Sequence, residues 1–168
     1  FTTASGLLSA RRRDDGMITL DLPALSGHEV DVPEGLESAI GQKVVDFRRA
    51  VMDMAVLKDE SAVCGVKPDL DYLRSLEGDG LIITSAGHSC DCVSRYFAPN
   101  LGIDEDPVTG SAHCTIAPYW AEKLGKTSLF ARQVSKRGGD VYCELFDDRV
   151  LISGHACLYF KGQLASVE

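Results

Sequence analysis

The stretch from Asp104 to Leu124, DEDPVTGSAHCTIAPYWAEKL, constrains this chain more than any other. Pro107 fixes its own φ and drives Asp106 towards extended geometry, so a helix cannot begin before it. Thr109, Gly110 and Ser111 then supply a helix start. A hydroxyl can cap, and a glycine admits close approach of a ligand to the backbone. From Ser111 on, Ala112, Ile116, Trp120 and Leu124 recur every fourth residue, with Ala117 and Ala121 beside them. That spacing predicts one apolar helix face. The alanines are small, so a strand or a second helix can pack close. Lys123 in the last turn and Gly125 after it mark the C-terminal stop. Pro118 conflicts with this pattern, because an interior proline costs about 3 kcal/mol and removes a hydrogen bond. A bend is expected there, or a helix held by packing around Trp120.

The same stretch carries the chemistry. Free amides at Gly110, Ser111 and Ala112 point at whatever occupies the helix start, and the helix dipole favours an anion there. Asp106 lies just outside that pocket, a position suited to general acid/base work on a carboxylate substrate. The competing reading is a solvated acidic loop followed by a plain helix cap.

Around this core, Ser94-Arg95-Tyr96-Phe97-Ala98-Pro99, Gly102-Ile103 and Glu105 to His113 closely resemble the phenazine-biosynthesis-like (PhzF-like) isomerase family. Pro118-Tyr119-Trp120, Arg137-Gly138-Gly139 and Ile152-Ser153-Gly154…Gly162 fit the same family. The resemblance implies the two-lobed fold of diaminopimelate epimerase. In it each lobe wraps a sheet around a central helix, and the active site lies in the cleft between lobes. It implies an α+β chain here, with a mostly antiparallel sheet around one central helix. By the same resemblance Asp106 is the acidic residue on this side of the cleft, Gly110 and Ser111 form the substrate-contacting turn, and His113 lies just behind it. Asp106 and Ser111 are thus the candidates for catalysis, and Gly110, Ser111, Ala112 and His113 for substrate binding.

The family's first lobe carries a proton-shuttling glutamate and a Gly-His-Ala helix start, and neither occurs in these residues. The chain therefore resembles the second half of a two-lobed enzyme. Residues 1–24 read as a hairpin like the end of the N-terminal lobe. Residues 25–168 read as the C-terminal lobe, with last strands that return to the other one.

Composition narrows the function classes. The 168 residues are 45% hydrophobic, enough for a packed core, and the formal charge is −8. That balance argues against nucleic-acid binding and against anionic membrane surfaces, and no apolar run is long enough to span a bilayer. Six cysteines form no dense framework, so a reduced cytoplasmic setting is expected.

Elsewhere the pattern predicts helices over 34–41 and 69–76. Strands are predicted over 44–49, 53–57, 62–66, 81–85 and 92–98, then 129–134, 141–146, 150–153 and 156–160 as a meander. His88, Cys90 and Cys92 alternate and would share one face of a strand, but the spacing is not that of a zinc site, and no metal is expected. Arg137, ahead of two glycines, either reaches the cleft or caps a surface turn.

Three functions remain open. The first is a cofactor-independent isomerase that moves a proton on a small carboxylate-bearing substrate. The second is a thiol-dependent epimerase or racemase of the same fold, disfavoured because no cysteine lies between Cys92 and Cys114. The third is a non-catalytic binding or structural lobe. The expected partners are a small anionic substrate and the missing N-terminal lobe, on the same or a separate chain. A homodimer is left open.

Overall fold

The computed structural model describes residues 2–3 and 6–163. A two-stranded ribbon, β1 (Thr2–Thr3) and β2 (Gly6–Leu7), precedes the hairpin of β3 (Ser9–Arg12) and β4 (Ile18–Pro23). There follow β5 (His28–Glu29), α1 (Leu36–Ile40), β6 (Val44–Arg49), β7 (Asp53–Leu57), α2 (Glu60–Gly65) and α3 (Leu70–Ser75). Next come β8 (Leu81–Ala86), β9 (Cys92–Ala98), a 3-10 turn at Pro99–Leu101, β10 (Ile103–Asp106) and α4 (His113–Leu124). The chain closes with β11 (Ser128–Gln133), β12 (Gly139–Phe146) and β13 (Arg149–Gly154).

From β3 on, the strands form one eleven-stranded sheet in the order β3-β4-β13-β12-β11-β9-β8-β7-β6-β5, with β10 on β9. The pairings are antiparallel except β7–β8 and β9–β11. Parallel neighbours need a crossover. The first of these carries α2 and α3, the second carries β10 and α4. The fold is thus the mixed α+β, mostly antiparallel sheet around one helix that the sequence implied.

Alternation in the central strands separates two cores. Cys92, Tyr96 and Ala98 pack with α4, while Val93 and Phe97 pack with α1, α2 and α3 on the opposite face. Distant strands reach α4 from several directions. Tyr119 donates to Asp46 of β6 at 3.0 Å, and Trp120 Nε1 donates to Thr84 Oγ1 of β8 at 2.9 Å. Val150 and Ile152 of β13 close the same core.

Helix α4 runs unbroken through Pro118. A proline has no N–H to give the carbonyl four residues back, which is that of Cys114. The amide of Leu25 donates to Cys114 O instead, at 2.8 Å. Ala112, Ile116 and Ala117 are buried as the spacing predicted. Burying large apolar side chains such as Ile116 and Trp120 contributes about 1.5–3 kcal/mol each. Together they outweigh the cost of the proline.

Three expectations are corrected. Residues 62–65 form not a strand but most of α2, with Val66 as its extended C-cap, because the Asp59 side chain caps the helix by accepting from Ala62 N at 2.8 Å. Residues 156–160 form no strand among the described residues, since β13 already has β12 and β4 on its two sides. Leu158, Tyr159 and Phe160 are exposed there. The acidic residues before Pro107, a solvated loop in the competing reading, form β10, paired to β9 with Asp106 opposite Tyr96. The hairpin expected within residues 1–24 includes Phe1, Ala4 and Ser5, which lie outside the described residues, as do 164–168. Of the described part, Ser9–Arg12 and β4 form the hairpin, whereas residues 2–3 and 6–7 pair with each other in a separate ribbon; β4 pairs with β13 along its full length.

Candidate active site

The three carboxylates of the acidic run end in different surroundings. Glu105 takes a bidentate pair with Arg95, Nε–Oε1 at 2.7 Å and Nη2–Oε2 at 3.0 Å. Arg95 also donates to the Val66 carbonyl at 2.7 Å, which locks β10 to the end of α2. Asp104 is exposed, with Arg74 Nη2 at 3.7 Å. Asp106 is half-buried and accepts a hydrogen bond on Oδ2 from Thr109 Oγ1. Burial, then the nearby Asp79 and Asp106 charges, push the neighbouring Tyr96 phenol above its usual range.

The loop after Asp106 is pinned through its carbonyls. Gln133 Nε2 donates to Asp106 O at 2.6 Å, Ser135 Oγ donates to Pro107 O at 2.7 Å, and His113 Nδ1 meets Thr109 O at 2.8 Å. Thr109 N–H donates to Gln133 Oε1 at 2.8 Å. Gly139 belongs to the same packing. A Cβ added there would lie 2.5 Å from Val108 Cγ2, so only glycine lets β12 approach the loop this closely.

Beyond Thr109 the pattern changes. Residues 110–112 form a turn that feeds α4, with the first bonds running from His113 N to Gly110 O and from Cys114 N to Ser111 O. The predicted hydroxyl cap is absent, because Thr109 Oγ1 is spent on Asp106. The amides of Gly110, Ser111 and Ala112 donate to no protein acceptor among the described residues. Gly110 is half-buried and Ser111 is exposed. Leu20 of β4 forms a wall beside them, with Cδ1 3.8 Å from where a Gly110 Cβ would stand. The structure therefore brings Asp106, Gly110, Ser111 and Ala112 together around one helix start.

His113 is placed differently from the expectation of a ligand contact. Its ring is fully buried, and burial holds its pKa below the ordinary histidine value. The ring acts on the loop through Thr109 and does not face the surface. Two further residues, Thr109 and Gln133, emerge as partners of Asp106. Gln133 left one signal in the sequence: a polar side chain at the inward position of a strand whose other inward residues are Leu129 and Ala131.

Arg137 lines an open hollow of about 400 Å³ with Glu105, Pro107, Ser135 and Lys136, next to the pinned loop. His88, Cys90 and Cys92 do not converge. Cys92 is buried in the core, Cys90 is half-buried, and His88 is exposed with Nδ1 3.3 Å from Glu60. No group of three or more His, Cys, Asp or Glu among the described residues could hold a metal ion. Burial pushes the Cys114 thiol up to about 11 and the Cys143 thiol up to about 12. No helix among the described residues is long and apolar enough to cross a membrane.

Fold and site define a class first: a mostly antiparallel sheet packed around one helix, with a half-buried carboxylate held by Thr109 just ahead of the helix start. The model of the phenazine biosynthesis-like protein family, PhzC-PhzF, matches residues 7–162, and the chain belongs to that family. It is 45% identical over 165 residues to an uncharacterized isomerase of Pseudomonas aeruginosa, covering 98% of this chain and 63% of that protein. A human phenazine biosynthesis-like domain-containing protein is 36% identical over 187 residues, covering 99% and 65%. The crystal structure of a PhzF family protein from Enterococcus faecalis superposes with a TM-score of 0.90 at 40% identity, over 99% of this chain and 64% of that one. The chain thus spans under two thirds of the length of these relatives.

Proposed function

We propose that the complete protein is a cofactor-independent isomerase that shifts a proton on a small carboxylate-bearing substrate. Asp106 exchanges the proton as acid or base, and the amides at Gly110, Ser111 and Ala112 bind the substrate anion. Ser111, the exposed hydroxyl at the helix start, adds a donor to the same anion. The observation that carries this reading is the run of three amides with no protein acceptor among the described residues, beside the half-buried Asp106. Backbone donors at a helix start, added to the helix dipole, favour an anion. Relatives named as isomerases support the reaction class.

The chain supplies one wall of the site. A second lobe, on the same or a separate chain, supplies the other proton-transfer group, so residues 1–168 alone do not turn over substrate. Residues 1–24 then belong to the junction with that lobe, and the setting is cytoplasmic. Thiol chemistry is the weaker alternative, because Cys114, the cysteine nearest the open amides in sequence, is buried with its pKa raised.

The test is proton exchange in the full-length protein. A panel of small unsaturated mono- and dicarboxylates in D2O is followed by NMR for deuterium incorporation and double-bond migration. Incorporation that disappears in Asp106→Asn supports the reading. Undiminished incorporation in that variant ends it.

A further inference from the structure

We propose that Thr109 is a positioning residue that fixes the Asp106 carboxyl in one rotamer, with Gln133 and His113 as its clamps. The catalytic part rests on the role of Asp106 given above, while the positioning part stands on geometry alone.

Thr109 is almost fully buried, at 7% exposure, and all of its polar groups are engaged. The directions of these bonds follow from one fixed point. A backbone N–H can only donate, so the Gln133 oxygen must be the atom that faces Thr109 N, at 2.8 Å. The other end of that amide is then NH2, which donates to Asp106 O at 2.6 Å and to Thr109 Oγ1 at 3.2 Å. Thr109 Oγ1 therefore accepts from Gln133. A hydroxyl has a single proton, and here it goes to Asp106 Oδ2. The same logic sets the histidine. Thr109 O can only accept, so His113 carries its proton on Nδ1, and Nε2 is a bare acceptor with no partner among the described residues.

The result is a one-way relay of donors, from the Gln133 amide through the Thr109 hydroxyl to one oxygen of Asp106. It occupies Oδ2 and leaves Oδ1, which has no hydrogen-bond partner among the described residues, to exchange a proton. Because Gln133 also holds the Asp106 carbonyl, backbone and side chain of the acid are fixed from the same point of β11. A carboxyl held in one orientation does not have to be ordered during each turnover.

The test uses substitutions at Thr109 in this chain and in the full-length protein. Three-bond couplings from the Asp106 carboxyl carbon to its backbone nitrogen and carbonyl report χ1. A single rotamer is expected in wild type, averaging in Thr109→Val, and a return to one rotamer in Thr109→Ser, which keeps the hydroxyl. Thr109→Ala gives the same averaging and serves if the valine variant does not fold. With a substrate found by the deuterium panel, Thr109→Val lowers kcat about tenfold with KM unchanged, and serine restores it. A single Asp106 rotamer in the variants without a hydroxyl overturns the proposal, as does wild-type turnover by Thr109→Val. If no carboxylate in the panel exchanges, the isomerase reading fails and the couplings still decide the positioning.

Discussion

The amide of Leu25 donates to the carbonyl of Cys114 at 2.8 Å, supplying the hydrogen bond that Pro118 cannot make inside α4. The segment between β4 and β5 is thereby a brace on the central helix. Replacing Leu25 with proline deletes the donor and leaves a carbonyl of a buried residue without it, at about 1–3 kcal/mol. Urea unfolding of Leu25→Pro is expected to show that loss beyond the loss in Leu25→Ala, which reports packing alone. Equal losses would mean that the brace contributes nothing.

Gln133 is fully buried and bonds two backbone groups of the loop, Thr109 N and Asp106 O. Leucine fits the volume but leaves both groups unpaired. Gln133→Leu is expected to destabilise by about 2–4 kcal/mol, read as a lower urea midpoint at unchanged slope. A change within about 0.5 kcal/mol, as for an ordinary surface site, would show that the loop finds other partners.

The buried His113 makes stability depend on pH. Its folded pKa is depressed, chiefly by burial, so the unfolded chain takes up the proton first. Its contribution is complete above the unfolded value of about 6.5 and is lost as pH falls, by up to about 1.4 kcal/mol per pH unit. As pH falls below about 6.5, wild type is expected to lose stability. His113→Gln, which keeps a donor for Thr109 O but does not titrate, flattens that slope. His28, His88 and His155 are exposed. The same slope in the variant would remove His113 as the cause.

Cysteine accessibility separates acid/base from thiol chemistry. Cys64 and Cys157 are exposed, whereas Cys92, Cys114 and Cys143 are buried with raised pKa values. Iodoacetamide is expected to label the first two in the native protein and to reach the buried three only in denaturant. Native labelling of Cys114 would reopen the thiol reading.

Much of this was legible in the sequence, for identifiable reasons. The fourfold spacing from Ala112 to Leu124 marked α4, and Pro107 with Gly110 marked the loop before it. The local signal was weaker at α2. There the run Ala62, Val63 and Val66 suggested a strand, and only the Asp59 cap, a single side chain, said otherwise. Residues 156–160 have a strand-like composition, but a strand also needs a neighbour, which composition cannot supply. At the candidate site, Asp106 and the amides of Gly110, Ser111 and Ala112 lie within seven consecutive residues, so the sequence shows them side by side. The Gln133 clamp is not shown there, because it closes from 24 residues away, through the crossover that returns the chain beside β9. Glu105 turns to Arg95 and Asp106 to Thr109, a difference that appears only once β10 is seen to pair, through a register shift, with β9.

The most direct test is an NMR titration of the 15N-labelled chain with fumarate, a small dicarboxylate. Saturable shifts are predicted at the amides of Gly110, Ser111 and Ala112, with the pinned amide of Thr109 moving less. Shifts confined to the Lys136–Arg137 hollow or spread over surface lysines and arginines, with those three amides unmoved, would contradict an anion site at the start of α4.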